Sequence, residues 1–390
     1  MMKKIIYLIS IVLLVSSCMK KPDYNSYIIE LTVPLGEEIT PETVNNAKVT
    51  LINLQKGYTI EALMDSTGVI LFTSIEPGFY SATLSHSFPT GAFTTSNLNG
   101  MVQMEVFSSI SETLPVVLST SNALVIKEYY YSGSLTPASK SYYSDQYVEI
   151  YNNSDMVVFA DGVSIIEHES YGIGTNYWTF MPDSIVARMI WTIPGSGNDY
   201  PINPGHSIVL AKDAFDHKDD PNGNPDCPVN LGNADFEFWV DYKGYDIDFN
   251  STNMIEDLFT FRGSDIAFHV RGGSAIALVN IAIDPVERRN YIDNNLVRKS
   301  SYSTRWYGRI ANTMVIDAVE VVFDEAHAEY KRMPLVLDAG YTYVPAGSKS
   351  GKCLRRKIET IINGRTVYQD TNNSTEDFLK DSDPKPWIYE

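Results

Sequence analysis

Seven oxygen-bearing side chains, Asp213, Asp216, Asp219, Asp220, Asn222, Asn224 and Asp226, fall within fourteen consecutive residues. Calcium takes about six to eight oxygens from a flexible loop, so an ion held here would use Asp216, Asp220, Asn222, Asn224 and Asp226 as weak candidate ligands. The alternate spacing 220, 222, 224, 226 suits such a loop. Pro225, however, stands where the sharp turn needs glycine, and no glutamate closes the far end. A solvated acidic loop accounts for the same residues, and calcium is the only cofactor the sequence suggests.

Other chemistry finds less support. No Gly-x-Ser-x-Gly or Cys-x-x-Cys run occurs. The histidines His86, His168, His206, His217, His269 and His327 are scattered, so a zinc site would have to assemble only in three dimensions. The run Gly347 to Cys353 is one spacer short of a phosphate-binding loop and ends in Cys where magnesium needs Ser or Thr, so it reads as a polar β-turn. Carboxylates are numerous, but a glycosidase-like pair needs two of them about 5 Å apart in space, which spacing along the chain does not show. The aromatics Tyr129, Tyr130, Tyr131, Tyr142, Tyr143, Tyr147, Trp178, Trp191, Trp239 and Trp306 fit either a surface for sugars or a protein partner, or the core and edges of β-sandwiches.

The first seventeen residues run from Lys3-Lys4 through the apolar stretch Ile5 to Val15 to Ser16-Ser17, which is a secretory signal too short to span a bilayer. Val15-Ser16-Ser17-Cys18 resembles the bacterial lipobox, which implies diacylglyceryl modification and a mature N-terminus at Cys18. Residues 18–26 then form a lipidated tether. An exported chain is free to join Cys227 to Cys353 as a disulfide if their Cα atoms lie within about 7 Å. With a net charge of −18 and only short basic runs, Lys20-Lys21 and Arg355-Arg356-Lys357, the chain is not a nucleic-acid binder.

The elements that must position any site are strands. Residues 27–33 alternate with Ile29, Leu31 and Val33 in phase, residues 47–53 with Ala47, Val49 and Leu51, and residues 80–84 with Tyr80, Ala82 and Leu84. The turns Asp65-Ser66-Thr67-Gly68 and Glu76-Pro77-Gly78 separate them. This succession resembles the carboxypeptidase-regulatory or prealbumin-like sandwich over residues 27–120. From 121 to 390 the strand Ala123 to Tyr129, the run Tyr147-Val148-Glu149-Ile150-Tyr151-Asn152-Asn153-Ser154, and Ile202-Asn203-Pro204-Gly205 before Ile208 to Ala211 resemble a lamin-tail-like immunoglobulin domain. That domain is enlarged, with insertions expected near 166–200 and 212–265. Helical stretches are expected at Asp324 to Arg332 and for a turn or two at Ile255 to Phe261.

The whole resembles an uncharacterised family of Bacteroidetes envelope lipoproteins. The expected protein is all-β: a signal (residues 1–17), a tether, a small sandwich, and a larger sandwich joined near Ser119 to Asn122. It is expected to be anchored in the outer membrane, on either face, as a non-catalytic module binding a glycan or an outer-membrane protein. The alternative is an envelope hydrolase with a calcium or paired-carboxylate site in the insertions.

Overall fold

In the computed structural model, residues 26–89, 95–120, 122–169, 174, 176–218, 223–244, 246–260 and 268–389 are described. Cys18, Asp220 and Asn222 lie outside these residues. The architecture is all-β sandwich, as the alternation patterns require.

Residues 27–120 build two facing sheets. In the smaller, Tyr27–Thr32 runs antiparallel to Val69–Ile75 and parallel to Ile110–Thr113. The larger orders Thr59–Leu63, Lys48–Asn53, Gly78–Pro89, Thr95–Val106 and Val116–Thr120 side by side. The period-2 residues meet in the core: Val49 pairs with Leu84 and Leu51 with Ala82, and all four are fully buried. The turn at Asp65 forms because its carboxylate accepts the Thr67 N–H at 2.8 Å, while Gly68 takes the left-handed φ of 73°.

The remainder forms two seven-stranded sheets over one large core. The first orders Thr252–Asn253, Phe236–Glu237, Ser207–Ala211, Tyr147–Asn152, Leu124–Tyr130, Cys353–Arg356 and Phe378–Ser382. The second places Ser184–Thr192 and Val163–His168 at its centre, with Tyr307–Ala311 and Leu296–Val297 on one flank and Ile276–Asn280 and Val315–Val319 on the other. Trp191, Phe238, Tyr129 and Phe268 interlock between them, Trp191 meeting Phe238 edge to face at 5.7 Å. Within the stretch 166–200, Ser184–Thr192 is a central strand buried at every position but one.

Two expected helices come out differently. Ile255–Phe259 is a strand pairing with Ser184–Thr192, its β-branched and aromatic ends packing on a sheet face rather than around a helix. Residues Glu325–Tyr330 are helical, but as a 3-10 turn. The regular helix lies at Pro285–Asn294, where Asp284 caps the N–H groups of Val286 and Glu287 and Pro285 occupies the first turn. The smaller sandwich is tied to the larger part through Lys48 to Glu376 at 2.8 Å, through Asn97 and Asn99 donating to the carbonyls of Asp370 and Thr371, and through Met101 against Val322 and Tyr341. None of the described helices is long and apolar enough to cross a membrane.

Candidate functional site

The described residues leave a cluster of aromatic rings on the surface at the flank of the second large sheet. Its base is Trp178, 3% exposed, which packs with Val186 and Tyr307 and donates its indole N–H to Glu169 at 2.7 Å. Asn176 caps the local turn through the Trp178 N–H, and the Met181 N–H closes it on the Trp178 carbonyl. The turn is too short to cover its own rings: Tyr177 stays 44% and Phe180 62% exposed, their centroids 5.9 Å apart.

The second half comes from a hairpin. Leu296 pairs with Gly308 and Val297 with Tyr307, so residues 298–306 project as its loop. Gly308 is required by close approach, since a Cβ there would sit 2.9 Å from Ile190 Cδ1. Within the loop Ser303 accepts the Arg305 N–H, and the small residues around it bury nothing. Tyr302 is therefore 94% exposed and Trp306 42%. Arg298 lies over the Trp306 ring, its guanidinium carbon 4.7 Å from the centroid. Lys299 lies 5.7 Å from the Tyr177 centroid and pairs with Glu169 at 2.7 Å, and the Tyr177 hydroxyl donates to the Lys299 carbonyl. Glu169 therefore holds the loop and the hairpin together. Arg309 fastens the same hairpin to Asp183 at 3.0 Å.

Glu169 is bonded to Trp178 and Lys299, and among the described residues no nucleophile with a matching base stands beside these rings. The sequence picks out Trp178 and Trp306 but not Tyr177, Phe180, Tyr302, Arg298, Lys299 or Arg305. The signal that finds the hairpin loop is charge, since residues 294–316 carry four basic side chains and no acidic one, whereas nothing local marks Tyr177 and Phe180. Of the other aromatics singled out, Tyr129, Tyr130, Tyr131, Tyr147 and Trp191 are buried, as the core alternative has it.

The calcium candidates do not converge among the described residues. Asn224 is fully buried and turns its amide to Ser134 Oγ at 2.8 Å and to the Leu135 carbonyl. Asp216 accepts from Asn230 at 2.6 Å, while Asp226 lines a shallow cleft of about 330 Å³ with Lys349, Lys352 and Asp383. No group of three His, Cys, Asp or Glu able to hold a metal forms among the described residues. Cys227 and Cys353, the possible disulfide pair, share one apolar cluster as free thiols, and Cys227 approaches Asp145 at 3.4 Å. The Gly347 to Cys353 run is a turn closed by the Gly347 N–H on Val344, with a strand after it.

Several carboxylates with raised affinity for protons are enclosed by chain, while Asp235 and Glu359 are exposed. Burial pushes Glu149 up to about 7 and Asp377 up to about 8, and each gives its oxygens to protein donors. Glu237, 1% exposed and accepting the N–H groups of Ala214 and Phe249, is pushed by burial up to about 8. Its folded form keeps a proton that the unfolded chain, near 4.5, has released. This contribution to stability is full below about pH 4.5 and is lost as pH rises towards 8. Thermal melting is expected to fall across that window, and Glu237→Gln to flatten the fall; parallel profiles would contradict the assignment.

Comparison with known proteins agrees with the architecture. Residues 203–385, which include the hairpin, match the model of a family described as protein of unknown function (DUF4876). A crystal structure of a DUF4876 family protein from Bacteroides thetaiotaomicron VPI-5482 is similar at 25% identity and a TM-score of 0.62, over 92% of this chain and 96% of that one. A candidate cell adhesion protein from Bacteroides eggerthii DSM 20697 aligns at 10% identity over 66% of this chain and 75% of its own, but its TM-score of 0.18 carries no argument. No curated protein matches. These findings support an uncharacterised Bacteroidetes-type family carrying a DUF4876 domain, and nothing in them points to catalysis.

Proposed function

We propose that the protein is a non-catalytic binding or scaffolding module of the cell envelope, held to the outer membrane by lipid on Cys18, and that it takes a glycan or an outer-membrane protein on the surface formed by residues 176–183 and 296–309. The observation that carries this reading is the pair of exposed rings Tyr177 and Phe180 packed on a buried Trp178, beside a hairpin loop that leaves Tyr302 and Trp306 exposed and meets Tyr177 at Lys299. Exposed aromatic clusters of this kind mark interaction sites, because leaving them in water without a partner has a hydrophobic cost. The competing hydrolase reading needs convergent carboxylates at an open cavity, and Glu149 and Asp377, whose proton affinity burial raises, are both bound to protein donors.

Two experiments test the two halves of the proposal. Cys18→Ala is expected to abolish incorporation of labelled palmitate; continued labelling would remove the anchor. For the surface, a photo-crosslinking residue at Tyr302 in intact cells is expected to give an envelope adduct, while one at the distant, exposed Leu71 gives none. Equal results at the two positions would remove the surface.

A further inference from the structure

Resting on that reading, we infer that the ligand is an acidic polysaccharide, whose sugar rings stack on Tyr177, Phe180, Tyr302 and Trp306 while its carboxylate or sulfate groups are taken by Arg298 and its basic neighbours. The first support is charge. In a chain of net charge −18, residues 294–316 bear Arg298, Lys299, Arg305 and Arg309 with no Asp or Glu among them. Lys299 and Arg309 are spent in part on Glu169 and Asp183, which rigidify the hairpin. Arg298 has no ion pair among the described residues and rests against Trp306. A guanidinium supported by a ring and not by a carboxylate keeps its planar N–H fork for an incoming anion, and it binds carboxylate or sulfate in two-point fashion.

The second support is the kind of apolar surface on offer. Within this patch every large exposed hydrophobic side chain is aromatic, whereas the exposed stretch at Ile358, Ile361 and Ile362 is aliphatic. Flat rings suit the C–H faces of a pyranose and leave its hydroxyls in water, and the Tyr hydroxyls add polar edges. Charge alone selects any polyanion and rings alone select any sugar, so their combination specifies an acidic one.

The test measures binding of the detergent-solubilised full chain to immobilised polygalacturonate and chondroitin sulfate, with neutral dextran and polyglutamate as controls. Binding is expected to at least one acidic polysaccharide, and at least about tenfold more weakly to dextran and to polyglutamate. Arg298→Ala and Tyr302→Ala are each expected to lower the affinity about tenfold at unchanged melting temperature, Tyr302 being almost wholly exposed. Equal binding to polyglutamate or to dextran, or no effect of either variant, would overturn the acidic-sugar assignment. No binding to either acidic polysaccharide, together with a Tyr302 crosslink to a protein, would overturn the ligand class while leaving the binding-module reading standing. Loss of both the binding and the crosslink would overturn the two together.

Discussion

Replacing Arg356 with methionine is expected to destabilise the larger sandwich by about 3–5 kcal/mol near pH 7.5, the largest effect of any single substitution considered for this fold. Arg356 is 2% exposed and donates to Asp317 at 2.6 Å, to Asp370 at 3.2 Å, to Asp377 at 3.5 Å and to the Ile126 carbonyl at 2.9 Å. It thereby joins the first large sheet to the strand Val315–Val319 and to the loop 370–377, which docks on the smaller sandwich. Without the cation, three carboxylates remain in a dry interior. Burial already pushes Asp317 up to about 7 and Asp377 up to about 8 with Arg356 in place. Removing the cation raises both further, so their protonated forms suit the folded variant and the penalty grows as pH rises from about 4. Thermal melting should therefore show a deficit on the order of 10 °C at pH 7.5, shrinking at pH 5. A variant that melts within about 2 °C of the parent at both values would contradict the role given to this network.

The second large effect is expected at the C-terminal tail. Lys127 and Glu149 form a fully buried ion pair at 2.7 Å. Lys127 also donates to the Lys385 carbonyl at 3.3 Å, and Glu149 accepts the Trp387 N–H at 3.0 Å and the Ser207 hydroxyl at 2.6 Å. Beside them Glu128 accepts the Lys385 N–H and the Tyr147 hydroxyl. Residues 385–389 thus form a strap over charged groups that the sheet cannot satisfy alone. Lys127→Met leaves Glu149 buried without its cation and is expected to cost about 3 kcal/mol, with faster amide exchange at residues 385–389. Adding Glu149→Leu should recover part of that loss, because replacing both members of a buried pair by apolar groups is far less costly than removing one. A double variant no more stable than Lys127→Met would show that the pair is not the link to the strap.

What the sequence made legible follows from what each feature depends on. Strands such as Lys48–Asn53 and Leu124–Tyr130 announce themselves by local alternation or by continuous apolar runs, and the Asp65 turn by its own hydrogen-bonding chemistry. Ile255–Phe259 was not legible, because its Glu-Asp centre suits a helix locally and only pairing with Ser184–Thr192 makes it a strand. The helix Pro285–Asn294 carries a clear start in Asp284-Pro285, yet it has only Arg288 and Ile292 buried and so lacks an apolar stripe to betray it. The aromatic surface divides in the same way. Composition cannot separate Trp191, which fills a core, from Trp306, which does not, since exposure is decided by residues far apart in the chain. Trp178 and the hairpin that carries Trp306 are brought together by Glu169, which holds both Trp178 and Lys299, residues more than a hundred positions apart. In the acidic loop, proximity along the chain concentrates oxygens, but Asn224 is drawn inward by Ser134 and Leu135 instead of towards its neighbours.

The central claim is that residues 176–183 and 296–309 are where this protein meets its ligand. Amide hydrogen exchange of the full chain, with and without the acidic polysaccharide it binds most tightly, tests this most directly. Protection confined to those two segments, with Arg298→Ala abolishing it, is the expected result. Protection centred instead on the cleft at Lys349 and Lys352, or spread evenly over both sandwiches, would contradict the account.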